Sequence, residues 1–490
     1  MPTGGRRRQA AASGESAAVK IVPRVVFSHG GKEYDVQPVV SSEDAAMVCD
    51  LLARGCKLGD AVLADLVEQL NAFAADVPDG EDMLPVHWAA EKGQTAACQL
   101  LLTTAPEAVM AGDWEGALPV HRAAGSGHTA TCQLLLDAAP ETITAADQRG
   151  KLPVHWASQN GHTATCQLLL DAAPETITWA DELGRLPVHW ASQNGHTATC
   201  QLLLDTAPDT ITAADIDGWM LLHCAATGGH TATCQLLLGR APETVHAADP
   251  CGMLPVHCAS ESGQTATCQL LFNAAPETVT AADRYGALPV HWAAGSGHTA
   301  TCQLLLDVAP ETIHAADQYG KLPVHCASEA GQTATCQLLL DRAPQTAAML
   351  DIHGRIPLQL ALPESSPHLD AARCLVAAAP VATVLAALSA VPQAQPLFAD
   401  FFITRSPHLT SEEWTAAWSA VPIPCSGLLR ALPAVLGHSA EQARHLVQHL
   451  PPADAQRLRT AALCLARAQK QSGVALPSGV VWQVLQLMGA

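Results

Sequence analysis

Apolar residues in the middle of the chain recur with a period of 34 residues. In one copy, Leu152, Pro153 and Val154 precede His155, and a second apolar run at residues 168–170 follows. The equivalent histidines are His87, His121, His155, His189, His223, His257, His291 and His325. Two apolar runs separated by a Gly-His or Gly-Gln pair predict two short helices joined by a turn. Such self-similarity is the signature of a stacked repeat array, so we expect an all-α solenoid.

The repeat period and its loss predict four regions. They are a disordered tail at residues 1–20, a small α+β capping module at residues 21–78, a repeat array at residues 79–380 and a helical C-terminal region at residues 381–490. In the capping module, two strand-like runs flank Gly30 and Gly31, which is a hairpin signal, and two helical runs follow. A fragment of a BTB-like adaptor domain is the alternative, but the module is too short for that whole domain. The array has eight regular repeats and a degenerate ninth, in which Gln359 stands at the histidine position.

The charge is concentrated in the array. The formal net charge is −20, whereas residues 1–20 and 390–490 are both net basic. An acidic surface repels phosphate groups, so we expect neither nucleic acid nor a membrane as a partner. The charge-free stretch at residues 374–399 is interrupted by three prolines, which predicts helix, turn and helix rather than a membrane span. The odd cysteine total of 17 and a start without an apolar leader favour a reducing, cytoplasmic location, with a transit peptide as the alternative.

Cysteine and histidine recur once per repeat, which argues against a reactive site. Eight cysteines share one position in the second predicted helix: Cys98, Cys132, Cys166, Cys200, Cys234, Cys268, Cys302 and Cys336. Structural zinc needs four ligands on one centre, usually paired by short spacings. Eight near-identical copies also provide no unique nucleophile, and the sequence has no phosphate-binding or hydrolase motif. We therefore expect buried structural thiols, hydrogen-bonded structural histidines, no metal, no cofactor and no catalysis.

The repeat pattern Asp-x-x-Gly-x-Leu-Pro-Val-His-x-Ala-x-x-x-Gly-His, followed by leucines deep in a second helix, resembles the ankyrin repeat. The resemblance covers residues 79–380 and implies helix-turn-helix units, each preceded by a β-turn finger. We use "finger" for the segment from the leading aspartate to the residue after the glycine, such as residues 113–117. The resemblance also implies that a partner protein binds to the finger tips and to the concave face of the first helices.

The chain departs from the family pattern at the start of the first helix. Leucine replaces the family's threonine before proline, in Leu84, Leu118, Leu152, Leu186, Leu254, Leu288 and Leu322. The hydroxyl that would cap the helix is absent. The lost hydroxyl leaves open whether the family's usual hydrogen-bond lattice forms between repeats, and we expect leucine burial, at roughly 25 cal/mol per Å², to compensate. The second helix has no terminal glycine, and an Ala-Pro-Glu-Thr loop is expected to end it because proline has no N–H.

Two sets of positions vary while their surroundings are copied, so packing does not require them. The finger set gives the predicted partner-binding residues: Trp114, Glu115, Gln148, Arg149, Glu182, Asp217, Trp219, Arg284, Tyr285, Gln318 and Tyr319. The second set precedes the Gly-His or Gly-Gln turn and comprises Glu91, Lys92, Gly125, Ser126, Gln159, Asn160, Gln193, Asn194, Thr227, Gly228, Glu261, Ser262, Gly295, Ser296, Glu329 and Ala330. Neutral drift is the alternative, but aromatic residues and arginine dominate binding hot spots. The position after the histidine (Trp88, Arg122, Trp156, Trp190 and Trp292) is expected to pack between repeats.

These observations favour a non-catalytic, monomeric scaffold that binds a partner protein with basic patches. The alternative is a substrate-recognition adaptor of a ubiquitin ligase, because residues 476–488 begin with Leu-Pro and faintly resemble an F-box helix. An enzyme within residues 390–490 has no positive support, since polar groups are not clustered there.

Overall fold

The computed structural model describes residues 25–29, 32–36, 82–363 and 365–472. The predicted tail at residues 1–20, the rest of the module at residues 21–78 and the F-box-like segment at residues 476–488 lie outside the described residues. The predicted hairpin is confirmed, because strand Val25–His29 pairs antiparallel with strand Lys32–Val36. The chain divides into two compact units, Met1–Glu182 and Leu183–Ala490.

In the first unit, the described repeats each contain two helices and a short 3₁₀ helix. The first helices are Pro85–Glu91, Pro119–Gly125 and Pro153–Gln159. The second helices are Thr95–Thr104, Thr129–Ala138 and Thr163–Ala172. The 3₁₀ helices are Pro106–Met110, Pro140–Thr144 and Pro174–Thr178. Consecutive first helices pack against each other, and so do consecutive second helices, which is the stacking that the repeat period predicts.

The second unit continues the same pattern and adds the C-terminal helices. Its first helices are Pro187–Gln193, Leu221–Thr227, Pro255–Glu261, Pro289–Gly295, Pro323–Glu329 and Pro357–Leu360. Its second helices are Thr197–Thr206, Thr231–Arg240, Thr265–Ala274, Thr299–Val308, Thr333–Arg342 and Leu369–Ala378. Its repeat 3₁₀ helices are Pro208–Thr212, Pro242–His246, Pro276–Thr280, Pro310–His314 and Pro344–Ala348.

Beyond the ninth repeat the described chain is helical. The α-helices are Val381–Ala390, Gln395–Arg405, Ser411–Ala420, Leu432–His438, Ala440–Gln448 and Pro452–Ser472, with 3₁₀ helices at Pro392–Ala394 and Leu428–Ala431. Their core is aromatic, with Phe398, Phe401 and Phe402 fully buried. Arg405 donates a hydrogen bond to the carbonyl of Ala379 at 2.6 Å, just beyond the second helix of the ninth repeat. This contact ties the C-terminal helices directly to the last repeat.

The copied histidine, rather than a hydroxyl, caps the first helix. In the repeat of His121, Nδ1 accepts the backbone N–H of Leu118 at 3.0 Å. Nε2 donates to the carbonyl of Ala145, at the end of the same repeat, and to the carbonyl of Lys151 in the next repeat, both at 3.1 Å. The sequence left the hydrogen bonding between repeats open, and the structure shows that the imidazole joins its repeat to the next through Lys151. Leu118 is buried, as the exchange of hydroxyl for apolar surface predicts.

The Ala-Pro-Glu-Thr segment is more regular than the predicted loop, because its last residues form the 3₁₀ helix. The second helix Thr129–Ala138 ends where Ala139 leaves the helical conformation, with φ −149° and ψ 85°. The Pro140–Thr144 turn follows, and the hydroxyl of Thr142 donates to the carbonyl of Ala139 at 2.7 Å. Thr142 is fully buried. The backbone N–H of Thr142 also donates to this carbonyl, at 3.1 Å, so the copied threonine pairs the carbonyl at the helix end twice.

The copied apolar residues form the core of each unit. In the repeat of His155, Ala157, Cys166 and Leu169 are fully buried between neighbouring helices. Small alanine and cysteine side chains let the helices approach closely, and leucine fills the remaining space. Among the described helices, none combines the length and the hydrophobicity needed to cross a bilayer.

Candidate partner-binding groove

Each finger is a tight turn that its leading aspartate holds closed. In the finger at residues 283–287, Oδ1 of Asp283 accepts the backbone N–H groups of Tyr285 at 2.8 Å and of Ala287 at 2.9 Å. Gly286 has a φ of +76°, a left-handed conformation that favours glycine. The copied aspartate and glycine therefore build the turn, and the two residues between them form its variable tip.

Neighbouring fingers are joined by backbone hydrogen bonds. The N–H of Gln318 donates to the carbonyl of Tyr285 at 2.8 Å, so the finger tips that carry Tyr285 and Tyr319 are held side by side. The equivalent donor position in the finger at residues 249–253 is Pro250, which has no N–H. That finger consequently lacks this bond to the finger before it.

Five predicted partner-binding residues lie in the first unit: Trp114, Glu115, Gln148, Arg149 and Glu182. Trp114 exposes 51% of its surface, and Gln148, Arg149 and Glu182 are also exposed. Glu115 is half-buried, because its carboxylate accepts a hydrogen bond from Arg122 at 3.1 Å. The charge of Glu115 is therefore already paired within the chain.

The other six lie in the second unit: Asp217, Trp219, Arg284, Tyr285, Gln318 and Tyr319. Trp219 is half-buried and stacks on His223, with ring centroids 6.4 Å apart, so its ring is partly engaged in packing. Arg284 is exposed, and its guanidinium carbon lies 5.2 Å from the centroid of the Tyr285 ring. Of these six residues, only Tyr285 and Tyr319 line the groove described next.

A groove of about 730 Å³ opens between the fingers and the first helices of the two repeats that begin at Asp283 and Asp317, and Glu261 from the preceding repeat also lines it. Three aromatic residues line it: Tyr285 and Tyr319 from adjacent fingers, and Trp292 from a first helix. The groove thus combines two predicted partner-binding residues, Tyr285 and Tyr319, with Trp292, which was expected to pack between repeats.

The groove is acidic. Its charged lining residues are Glu261, Asp283, Asp317, Glu329 and Lys321. The Lys321 ammonium donates to the Glu329 carboxylate at 2.6 Å, which pairs the one cationic group among them. Burial raises the pKa of Glu261, as expected for a carboxylate with reduced access to water. A cleft lined by one sign of charge attracts ligands of the opposite sign, so this groove favours a cation.

The groove opens where a small residue replaces a tryptophan. In one repeat, the indole N–H of Trp292 donates to Oδ2 of Asp283 at 3.1 Å. The next repeat has Cys326 at the tryptophan position, and Asp317 uses only Oδ1, which accepts two backbone N–H groups. Oδ2 of Asp317 therefore has no hydrogen-bond donor among the described residues.

The histidine and the cysteine in the groove wall are unreactive. Nδ1 of His291 accepts the N–H of Leu288, and Nε2 lies 3.1 Å from the carbonyl of Ala315, to which it donates. Burial lowers the pKa of His291, so the imidazole is neutral with its proton on Nε2. Burial raises the pKa of the Cys326 thiol to about 12, so the thiol stays protonated. What the groove offers a ligand is aromatic surface and negative charge.

Sequence variation identified only part of this lining. Glu261 and Glu329 belong to the second variable set and lie outside the predicted partner-binding residues. Trp292 and Cys326 occupy the position assigned to packing between repeats. The sequence feature that indicates the groove is the change from tryptophan to cysteine at that position, because it removes an indole from one repeat of an otherwise copied array. The predicted site residues stay a prediction.

Comparison with known proteins agrees with this architecture. A family model described as ankyrin repeats, in three copies, matches residues 52–145, 138–215, 207–283, 274–349 and 290–383. No curated protein matches the chain. Because the matched segments together span residues 52–383, well over half of the chain, this protein belongs to the ankyrin repeat family.

Proposed function

We propose that this chain is a non-catalytic scaffold that binds a partner protein through its fingers and the groove at Asp317. Ankyrin repeats are generally protein–protein interaction modules, and the family is typically non-catalytic. The observation that carries the proposal is the acidic groove, which contains Tyr285 and Tyr319 from two adjacent fingers. Tyrosine is enriched at binding hot spots, and exposing two tyrosine rings beside a tryptophan favours burial by a partner.

The remaining features of the proposal follow from charge and repeat organisation. A net charge of −20 favours a partner with basic patches and disfavours nucleic acid and anionic lipid. We further propose that the protein acts as a cytoplasmic monomer. Its proposed regions are residues 1–20, 21–78, 79–380 and 381–490, with the array as the binding region.

The test compares two double variants of the full chain in affinity capture with mass spectrometry. Tyr285→Ala with Tyr319→Ala removes two rings from the groove. Gln303→Ala with Gln337→Ala changes the second helices of the same two repeats and serves as the matched control. We expect the tyrosine variant to lose proteins that both the wild type and the control retain, with unchanged helical circular dichroism. The same captured set from all three chains would contradict the proposal.

A further inference from the structure

The groove has a counterpart in the same unit that the chain fills with its own arginine. Three repeats earlier, Trp190 and Asp215 stand at the positions of Trp292 and Asp317. There, Nε of Arg185 donates to Oδ2 of Asp215 at 3.1 Å, and the guanidinium carbon lies 5.3 Å from the Trp190 ring centroid. An arginine thus sits against both an indole and a finger aspartate, which are favourable partners for a guanidinium.

We call two neighbouring repeats a step. The step that contains Trp190 and Asp215 differs from the step that contains Trp292 and Asp317 at the residue that supplies the guanidinium. The position of Arg185 is occupied by Ala287 in the later step, and Ala287 lines the groove. In the second repeat of each step, a cysteine follows the copied histidine: Cys224 follows His223, and Cys326 follows His325. Neither step therefore has an indole at that position. The space that the Arg185 side chain occupies in one step is therefore open in the other.

A second pairing in the first unit follows the same rule. Nε of Arg122 donates to Oδ2 of Asp113 at 2.8 Å, and its guanidinium carbon lies 5.2 Å from the centroid of the Trp156 ring. Where tryptophan stands at the position of Arg122, as in Trp292, the indole N–H takes the same aspartate oxygen. Asp317 keeps this oxygen without either donor among the described residues.

We propose that the groove at Asp317 binds an arginine side chain of the partner protein, which takes the place that Arg185 takes in its own step. The guanidinium donates to Oδ2 of Asp317 and stacks against the aromatic rings of the groove. This inference rests on the proposed function, because it specifies the chemistry that the partner presents. Lysine fits less well, since its ammonium lacks the planar fork that pairs with a carboxylate and stacks on a ring.

The direct test titrates the full chain with a capped Gly-Ser-Arg-Ser-Gly peptide, followed by NMR. A citrulline peptide keeps the shape without the charge, and a lysine peptide keeps the charge without the planar fork. We expect the arginine peptide to bind about tenfold more tightly than the citrulline peptide, as cation–π and ionic contacts at a partly desolvated site predict. Equal affinity for arginine and citrulline, or for arginine and lysine, would overturn the proposal.

Two variants tie the binding to this groove. Ala287→Arg supplies an internal guanidinium in the register of Arg185, and Asp317→Asn keeps the Oδ1 acceptor while removing the charge. Both should reduce arginine-peptide affinity to the citrulline level, whereas Asp249→Asn, the same change in another cysteine-bearing repeat and outside the groove lining, should leave it unchanged. Wild-type affinity in Ala287→Arg would overturn the assignment, provided its unfolding midpoint shows that it is folded.

Failure of this inference can be distinguished from failure of the proposed function. If the tyrosine double variant loses its captured partner while no arginine preference is found, the scaffold function stands and the arginine site is wrong. If the arginine preference is found and the captured set is unaffected by the tyrosine changes, the arginine site stands and the finger-mediated capture is wrong.

Discussion

Replacing one buried histidine tests whether the imidazole supplies the hydrogen bonds that join neighbouring repeats. His121 is fully buried and makes three hydrogen bonds, to Leu118 and Ala145 in its own repeat and to Lys151 in the next. His121→Ala removes all three and leaves the Leu118 N–H buried without an acceptor. His121→Gln is the matched variant, because the ninth repeat has Gln359 at this position, with Oε1 accepting the N–H of Ile356 at 2.9 Å.

The structure sets the size of the two effects. An unsatisfied buried N–H costs about 1–3 kcal/mol, and each lost hydrogen bond adds about 1 kcal/mol. The truncated ring also leaves a cavity. We therefore expect His121→Ala to lower the free energy of unfolding by about 3–5 kcal/mol. His121→Gln keeps the cap and should cost about 1–2 kcal/mol.

The assay is equilibrium urea unfolding of the full chain, followed by far-ultraviolet circular dichroism at neutral pH. Since stability in a repeat array is approximately a sum of local and nearest-neighbour contributions, the loss should appear mainly in the transition of the first unit. Equal losses for His121→Ala and His121→Gln, or a loss below about 1 kcal/mol for His121→Ala, would refute the assignment of the histidine as the joining group.

Three further results are expected. Burial lowers the pKa of His121 to about 4, below the ordinary value of 6.5. Between these pH values the unfolded chain binds more protons than the folded chain, so the free energy of unfolding falls as the pH falls from 6.5 to 4. In calorimetric titrations at pH 5, His121→Gln should therefore take up about one proton fewer on unfolding than the wild type. Arg122→Met should lower the free energy of unfolding by about 2 kcal/mol in urea, because the buried Asp113 carboxylate loses its charged donor, and an unchanged value would contradict that pairing. Burial raises the pKa of Cys132 to about 12, so a thiol reagent should modify exposed Cys464 in the native protein and Cys132 only after unfolding; rapid native modification of Cys132 would be inconsistent with its burial.

The repeat fold could be predicted from the sequence because every repeat carries the same apolar and polar residue types at the same positions. The copied histidine, cysteine and leucine positions predicted two helices per repeat and a buried core, and the fold class is confirmed. The role of the histidine was only half predictable. Its position at the helix start was evident, whereas its bonds to carbonyls 24 and 30 residues later depend on how the repeats stack.

The groove was harder to predict because it results from a difference between neighbouring repeats. Tyr285 and Tyr319 were recognisable as finger residues that packing does not require. The effect of Cys326 at the tryptophan position depends on the hydrogen bond from the Trp292 indole to Asp283 in the preceding repeat, which the sequence does not reveal. The relation between Arg185 and Ala287 emerges only when both are aligned with the aspartate of the following repeat.

Hydrogen exchange with mass spectrometry, on the full chain with and without a captured partner, tests the scaffold account most directly. The account predicts slower exchange on binding in the fingers at residues 283–287 and 317–321 and in the first helix Pro323–Glu329. The second helices Thr299–Val308 and Thr333–Arg342 of the same repeats should exchange at unchanged rates. Protection confined to the second helices, with unchanged exchange in these fingers, would contradict the claim that the groove and its fingers bind the partner.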